Sequence, residues 1–361
     1  MVGHPNKKFN QMDKNKLRIV ISWSGLPIYA SKLIKTVLDN EKFEINIISA
    51  NLQVDKEISQ NILNKKVHVI DSRKKIYWKD LGLEIPRIFF QAGWFYPSFN
   101  FLGSQVKSNG GNVILLIDNC WKNNIRQYLG YIKFNLLYKN KFDAFWVPGK
   151  SGRKLMNFFG VNNKYIFEGL YGSDPNIFFS DKPANERDKS FTFIGQLIER
   201  KGIDILVKAF NKFYNSNPDW KLNIYGRGYY SKKIQSSNGI QIYDFKPPAE
   251  IAEVLRKTRF LILPSKEDHW PLVVSESSLS GCGLILSDKI GNIPEFLNKD
   301  NGFIFRYNSV KDLVNKLSLA SNMSNNELIK LTKVSSQLGS NYLPSHWKIK
   351  FYEIINFFVN D

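Results

Sequence analysis

Residues Leu263 to Gly283 read LPSKEDHWPLVVSESSLSGCG. The apolar run Phe260–Leu263 stops at Pro264, and a polar loop follows. Pro271 then stands where a helix should begin, since its fixed φ suits the first helical position and its missing N–H would be unpaired there anyway. Gly281 supplies the stop. The stretch is therefore a strand, a loop and a helix, with Asp268 in the loop and Glu276 more than a turn inside the helix. A helix amino terminus can receive phosphate, and acceptor-only carboxylates can take hydrogen bonds from sugar hydroxyls. The residues alone leave a second reading open, in which Asp268 caps the helix and Glu276 favours its dipole.

The same unit recurs in both directions. Phe191–Ile194, Leu222–Tyr225, Ile240–Tyr243, Leu284–Leu286 and Phe303–Phe305 read as buried strands. Ile203–Phe213, Ala249–Lys257, Leu272–Ser280 and Val310–Leu319 read as helices between them. Toward the amino terminus, Arg18–Ile21, Glu44–Ile48, Val67–Ile70, Arg87–Phe90, Val113–Ile117 and Ala144–Val147 repeat the strand pattern, with helices at Tyr29–Leu38, Asn124–Tyr138 and Gly152–Phe159. Such alternation predicts an α/β chain with parallel sheets. At 361 residues it should divide into two Rossmann-like domains, with the charged stretch Lys182–Lys189 as linker. The apolar spacing of His346–Val359 predicts a final helix buried on one face.

Three more strand-to-helix turns matter. In FIGQLIERKG, Phe193–Gly202, the bases Arg200 and Lys201 arrive just before a helix, a placement that suits a diphosphate and equally suits a solvated turn. In IYGRG, Ile224–Gly228, the glycines allow a tight turn or a close approach, but Ser231 stands where a G-x-G-x-x-G fingerprint needs its third glycine. SDKIGNIPEFL, Ser287–Leu297, adds a glycine turn and a short helix.

Together these segments resemble the family 4 retaining glycosyltransferases of GT-B fold. Gly195–Gln196–Leu197, Lys201–Gly202, Gly226–Gly228, Pro264–Ser265 and Asp268…Glu276 fall in that family's order and spacing. The likeness is specific over Phe191–Phe305 and extends loosely to Ser24–Pro27 and to GLYGSDPNIF, Gly169–Phe178, which is similar to the family's interdomain crossover. The resemblance implies two facing Rossmann-like domains. Residues 1–180 would form the acceptor side, 185–340 the donor domain, and a terminal helix, 345–361, would pack back on the first domain. It implies that Lys201 neutralises the donor diphosphate and Glu276 binds the ribose. Asp268 would contact the transferred sugar, backbone N–H groups near Trp270–Leu272, the turn that holds Pro271, would border the phosphate, and Gly25 would let a first-domain loop approach it.

Several positions depart from the family pattern. Asp268 replaces a glutamate, and Gln196 stands where many members place a phosphate-binding arginine, a role neighbouring Arg200 can take over. Pro271 occupies a frequent glycine position and removes a donor. Where many members carry a first-domain histidine, LLIDNCWKNNIRQ, Leu115–Gln127, offers Asp118, a candidate for orienting the acceptor.

The implied reaction moves a sugar from a nucleotide-diphosphate-sugar, a UDP-sugar ahead of a GDP-sugar, to a hydroxyl. Its electrostatic burden is negative charge on the departing phosphate. Lys201, Arg200 and a helix terminus can meet it, and neither a D-x-D motif nor grouped histidines point to a metal. No permanently bound cofactor is expected.

Net charge is +19; residues 1–170 carry 26 Lys and Arg against 12 Asp and Glu, the remainder 25 against 20. Such charge attracts anionic lipid, acidic substrates or nucleic acid alike. Bases sit beside aromatics in Arg73–Trp78, Trp121–Arg126 and Lys133–Lys141. With no apolar run long enough to span a bilayer and a polar Met1–Lys16 unlike a signal peptide, the expectation is a cytoplasmic enzyme resting on an anionic membrane face, its acceptor a lipid-linked or envelope glycan. A small soluble acceptor is the blander alternative. Two others are an inactive homologue serving as a sugar- or partner-binding module and a basic nucleic-acid-binding protein; dispersed bases and the lack of a nucleic-acid motif weigh against the second. Cys120 and Cys282 form no motif and are expected to be unpaired apolar fillers.

Overall fold

A computed structural model describes residues 16–50, 52, 56–234 and 238–359. Most of the amino-terminal stretch Met1–Lys16 lies outside them. Among the described residues two sheets form. The first holds β1 (Leu17–Ser24), β2 (Phe43–Ala50), β3 (Val67–Ile70), β4 (Ile88–Ala92), β5 (Asn112–Leu116), β6 (Ala144–Val147) and β7 (Ile166–Glu168), in the order β3-β2-β1-β4-β5-β6-β7. The second holds β8 (Asp188–Ile194), β9 (Lys221–Tyr225), β10 (Ile240–Tyr243), β11 (Thr258–Leu263), β12 (Gly283–Ser287) and β13 (Gly302–Phe305), in the order β10-β9-β8-β11-β12-β13. Every pairing in the second sheet is parallel.

Helices alternate with the strands. They are α1 (Ile28–Leu38), α2 (Lys56–Leu63), α3 (Pro97–Ser108), α4 (Ile125–Leu137), α5 (Lys150–Phe158), α6 (Ile203–Tyr214), α7 (Pro248–Lys257), α8 (Leu272–Leu279), α9 (Ile293–Phe296), α10 (Val310–Ser321), α11 (Asn325–Gly339) and α12 (Pro344–Val359). The near-continuous apolar runs read from the sequence correspond to strands covered on both faces: all six residues of β11 and all five of β12 are buried.

The chain separates into two compact units. One comprises the described residues up to Leu116 with Leu136–Ala144 and the end from Phe358; the other comprises Ile117–Asn135 with Phe145–Phe357. Within the second unit, α12 packs through Trp347, which stacks on Trp146 of β6 at 5.0 Å between ring centroids. Phe357 meets Tyr165 and Phe167 edge-on. Cys120 and Cys282 are buried and not disulfide-bonded.

Candidate functional site

In the second sheet the strand order reverses between β8 and β11, the topological switch point beyond which ligands of open parallel sheets bind. The turns leaving these two strands carry the residues singled out above. They are driven together by close backbone packing. Gly202 has φ of 67° and lies so near Pro264 that a Cβ would run into the Pro264 carbonyl oxygen. The Lys266 N–H donates to the Arg200 carbonyl at 2.8 Å. A Cβ at Gly226 would likewise strike the carbonyl of Gly195. The glycine of IYGRG thus serves turn-on-turn packing.

This docking brings Lys201 and Asp268 into a hydrogen-bonded ion pair, each side chain little exposed, at 12% and 13%. Exposed Arg200 adds its guanidinium 3.8 Å from the other Asp268 oxygen and donates to the Glu267 carbonyl at 2.6 Å. Asp268 is held from behind: its N–H donates to Lys289 and its carbonyl accepts from Gly291, in the SDKIGN turn. That turn therefore acts as a brace for the loop. Gln196 is exposed. Gly25, with φ of 74°, follows β1 in the other unit and its N–H donates to Ala50.

Helix α8 starts at Leu272, as its apolar span predicts, but Pro271 is its cap (φ −66°, ψ 112°) rather than its first helical residue. A proline cap brings no side-chain oxygen to the first helical N–H groups; that of Val274 donates to the Pro271 carbonyl at 3.0 Å, and those of Leu272 and Val273 can meet a ligand. The helix stop behaves as read: Gly281 has φ of 74°, and the N–H groups of Gly281 and Cys282 return to Ser278 and Ser277. The Trp270 side chain is packed away against Tyr171, Tyr342 and Phe296, so only its backbone can face a ligand.

Glu276 sits on α8, half-buried, and among the described residues it has no hydrogen-bond or ion-pair partner. Burial pushes its pKa up to about 7. A half-buried acid without a partner is costly for folding and suited to a hydroxyl-bearing ligand.

The sequence reading missed a second cluster. Lys122, in the loop after β5, pairs with Glu267 and lies 2.7 Å from His269 Nε2. His269 in turn meets Glu267 at 3.0 Å. The Lys122 ammonium and then His269 hold the Glu267 carboxyl down to about 2. Nearby, the Tyr171 hydroxyl reaches Asp118 at 3.4 Å while its ring stacks on Trp270. Asp118 is exposed.

A further acid escaped the sequence entirely. Glu295 of α9 is 5% exposed; one oxygen accepts from the Lys150 N–H at 2.8 Å, and the other finds no partner among the described residues. Burial pushes its pKa up to about 7. The native state therefore binds a proton that the unfolded chain, with its ordinary value of 4.5, releases earlier. Stability from this group is present below pH 4.5 and lost as pH rises through 7, by up to ~3 kcal/mol. Glu295→Gln should keep the Lys150 bond, raise the melting temperature at pH 8 and leave it nearly unchanged at pH 4.5. Equal shifts at the two pH values would show that the buried acid is not the cause. Among the described residues, no group of three or more His, Cys, Asp or Glu is arranged to hold a metal ion.

Residues 175–333 match the family model described as Glycosyl transferases group 1. An uncharacterised glycosyltransferase of Haemophilus influenzae is 26% identical over 188 residues, covering 49% of this chain and 53% of that protein. The chain thus spans about half the length of the curated relatives it matches. Among solved structures, a glycosyltransferase from Rickettsia africae aligns with a TM-score of 0.72 at 14% identity, over 96% of this chain and 100% of that one. Anabaena HepE, solved in complex with UDP and glucose, aligns with a TM-score of 0.71 at 11% identity, over 94% and 99%. At such identities these structures speak for the fold alone: two Rossmann-like parallel sheets, the GT-B arrangement.

Proposed function

We propose that this chain is a retaining glycosyltransferase that moves a sugar from a nucleotide-diphosphate-sugar, preferentially a UDP-sugar, to a hydroxyl acceptor. The observation that carries the reading is the meeting of Lys201, Arg200, Asp268 and the α8 amino terminus at the β8/β11 switch point. The family match over residues 175–333 and the UDP held by HepE support it. Residues 185–340 would hold the donor and 1–180 the acceptor, with the terminal helix, 345–361, packing back on residues of the acceptor side.

In this reading the diphosphate takes its place beside Lys201 and the first N–H groups of α8, which together oppose the charge that grows as the glycosidic bond breaks. Asp268, released from Lys201 by the incoming phosphate, becomes an acceptor for hydroxyls of the transferred sugar. Glu276 accepts from the ribose. The hydroxyl nucleophile attacks from the leaving-group face, the departing phosphate takes its proton, and Asp118, backed by Tyr171, orients the acceptor. Positive charge is supplied by protein groups, so the reaction is assigned no metal. The acceptor is read as a lipid-linked or envelope glycan, reached from the cytoplasmic face of an anionic membrane. Attachment is read as peripheral; among the described residues no helix is long and apolar enough to cross a bilayer.

Isothermal titration with UDP, followed by donor turnover in excess EDTA, tests the assignment. UDP should bind at micromolar to millimolar concentration and turnover should survive the chelator. Absence of UDP and GDP binding would remove the reading. Activity lost to EDTA and restored by a divalent ion would remove its metal-independent form, and UDP binding without any donor cleavage would favour the inactive homologue.

A further inference from the structure

Helix α4 presents its apolar residues to solvent. Ile125, Tyr128, Leu129, Ile132 and Leu136 are exposed, Ile125 by 79% and Leu136 by 77%. They recur at i, i+3, i+4, i+7 and i+11, one face of a helix. At about 100° per residue that face is diametrically opposite Phe134, which is fully buried against Phe145 and Phe159. A helix in a soluble protein normally turns such a stripe inward, so an outward stripe marks an interaction surface.

The helix is anchored in this orientation. Gln127 donates to the Cys120 carbonyl, Asn135 donates to that of Phe159, and Tyr128 and Tyr131 pack on Phe158. Exposed bases accompany the stripe: Arg126 and Lys133 on its shoulder, Lys139 and Lys141 beyond its end. From Trp121 to Lys141 there is no aspartate or glutamate.

We infer that α4 is an in-plane docking helix for an anionic lipid surface, with Ile125, Leu129, Ile132 and Leu136 entering the acyl boundary and Arg126 and Lys133 meeting headgroup phosphates. The inference rests on the membrane-face reading above and names the element that performs it. Charge selects this occupant. A second copy seated on the same stripe would bring like-charged shoulders together with no acid on the segment to answer them, in a chain of net charge +19. Nucleic acid would satisfy the bases and leave the stripe in water. An anionic bilayer takes both.

The experiment is co-sedimentation of the full chain with phosphatidylglycerol or phosphatidylcholine vesicles at low and high salt. It compares wild type, the triple variant Ile125→Ser/Leu129→Ser/Ile132→Ser, and Arg126→Ser/Lys133→Ser. The parent should bind phosphatidylglycerol well above phosphatidylcholine, and the triple variant should lose at least about tenfold. The charge variant should bind less and depend less on salt. All three should keep the same melting temperature, because every replaced side chain is exposed. Should the triple variant unfold, a dye on Leu129→Cys provides the second reading: its emission should shift to the blue on phosphatidylglycerol vesicles. A parent that ignores these vesicles, a folded triple variant that sediments like it, or a label that does not shift would overturn the inference. So would self-association abolished by the serines, which would make a second copy the occupant. UDP titration of the same proteins keeps the two readings apart, since the proposed donor site includes no residue of α4.

Discussion

Replacing Lys201 with alanine should lower kcat/KM for the donor by roughly tenfold to a hundredfold, the worth of one charge-assisted hydrogen bond of about 1.5–3 kcal/mol. The effect should fall on KM and kcat together if the ammonium follows the phosphate from bound donor to departing nucleotide. The substitution also strands Asp268, whose side chain is only 13% exposed and whose remaining cation, Arg200, lies 3.8 Å away. A melting-temperature loss is therefore expected in Lys201→Ala and should be partly relieved by adding Asp268→Asn, which leaves no unpaired charge. Turnover should not recover in the double variant. Wild-type kcat/KM in a folded Lys201→Ala protein would remove this lysine from the donor site.

Glu276 carries the second large effect. Its carboxyl titrates near 7 in the free protein, raised by burial from an ordinary value of 4.5. A ribose diol donates to the carboxylate and stabilises that form, so the bound state has the lower pKa. Donor affinity should accordingly rise with pH up to about 7 and level off above it. At pH 8, Glu276→Ala should cost about tenfold to a hundredfold in kcat/KM. Glu276→Gln, which keeps one acceptor, should lose less and show a flat pH response. Titrations of UDP between pH 5.5 and 8.5 read this directly. A pH-dependent rise that persists in Glu276→Gln would assign it to another group.

The strands were legible because burial on both faces leaves a signature in consecutive residues, and β11 is its clearest case. β7 was not, since three residues, Ile166–Glu168, carry too little pattern. Helix α11 went unread although Ser324 and Glu327 form a capping box, a signal that was there to be used. At the site, Lys201 and Asp268 were named from spacing, but their pairing depends on Gly202 nesting on Pro264, a contact no local pattern encodes. The Lys122–Glu267–His269 cluster joins residues some 145 positions apart. Glu295 looked like an ordinary helix residue, because burial of a single acid is a tertiary fact.

The stacking of Trp347 on Trp146 sets a schedule for synthesis. About 200 residues separate the two rings, so a ribosome adding ~5–20 residues per second makes Trp146 some 10–40 s before its partner exists. For that interval an indole destined for full burial has no lid on one face, and β6 must wait while the whole second sheet is made and folded. Until α12 has been synthesised, that face of Trp146 is expected to lie open to solvent.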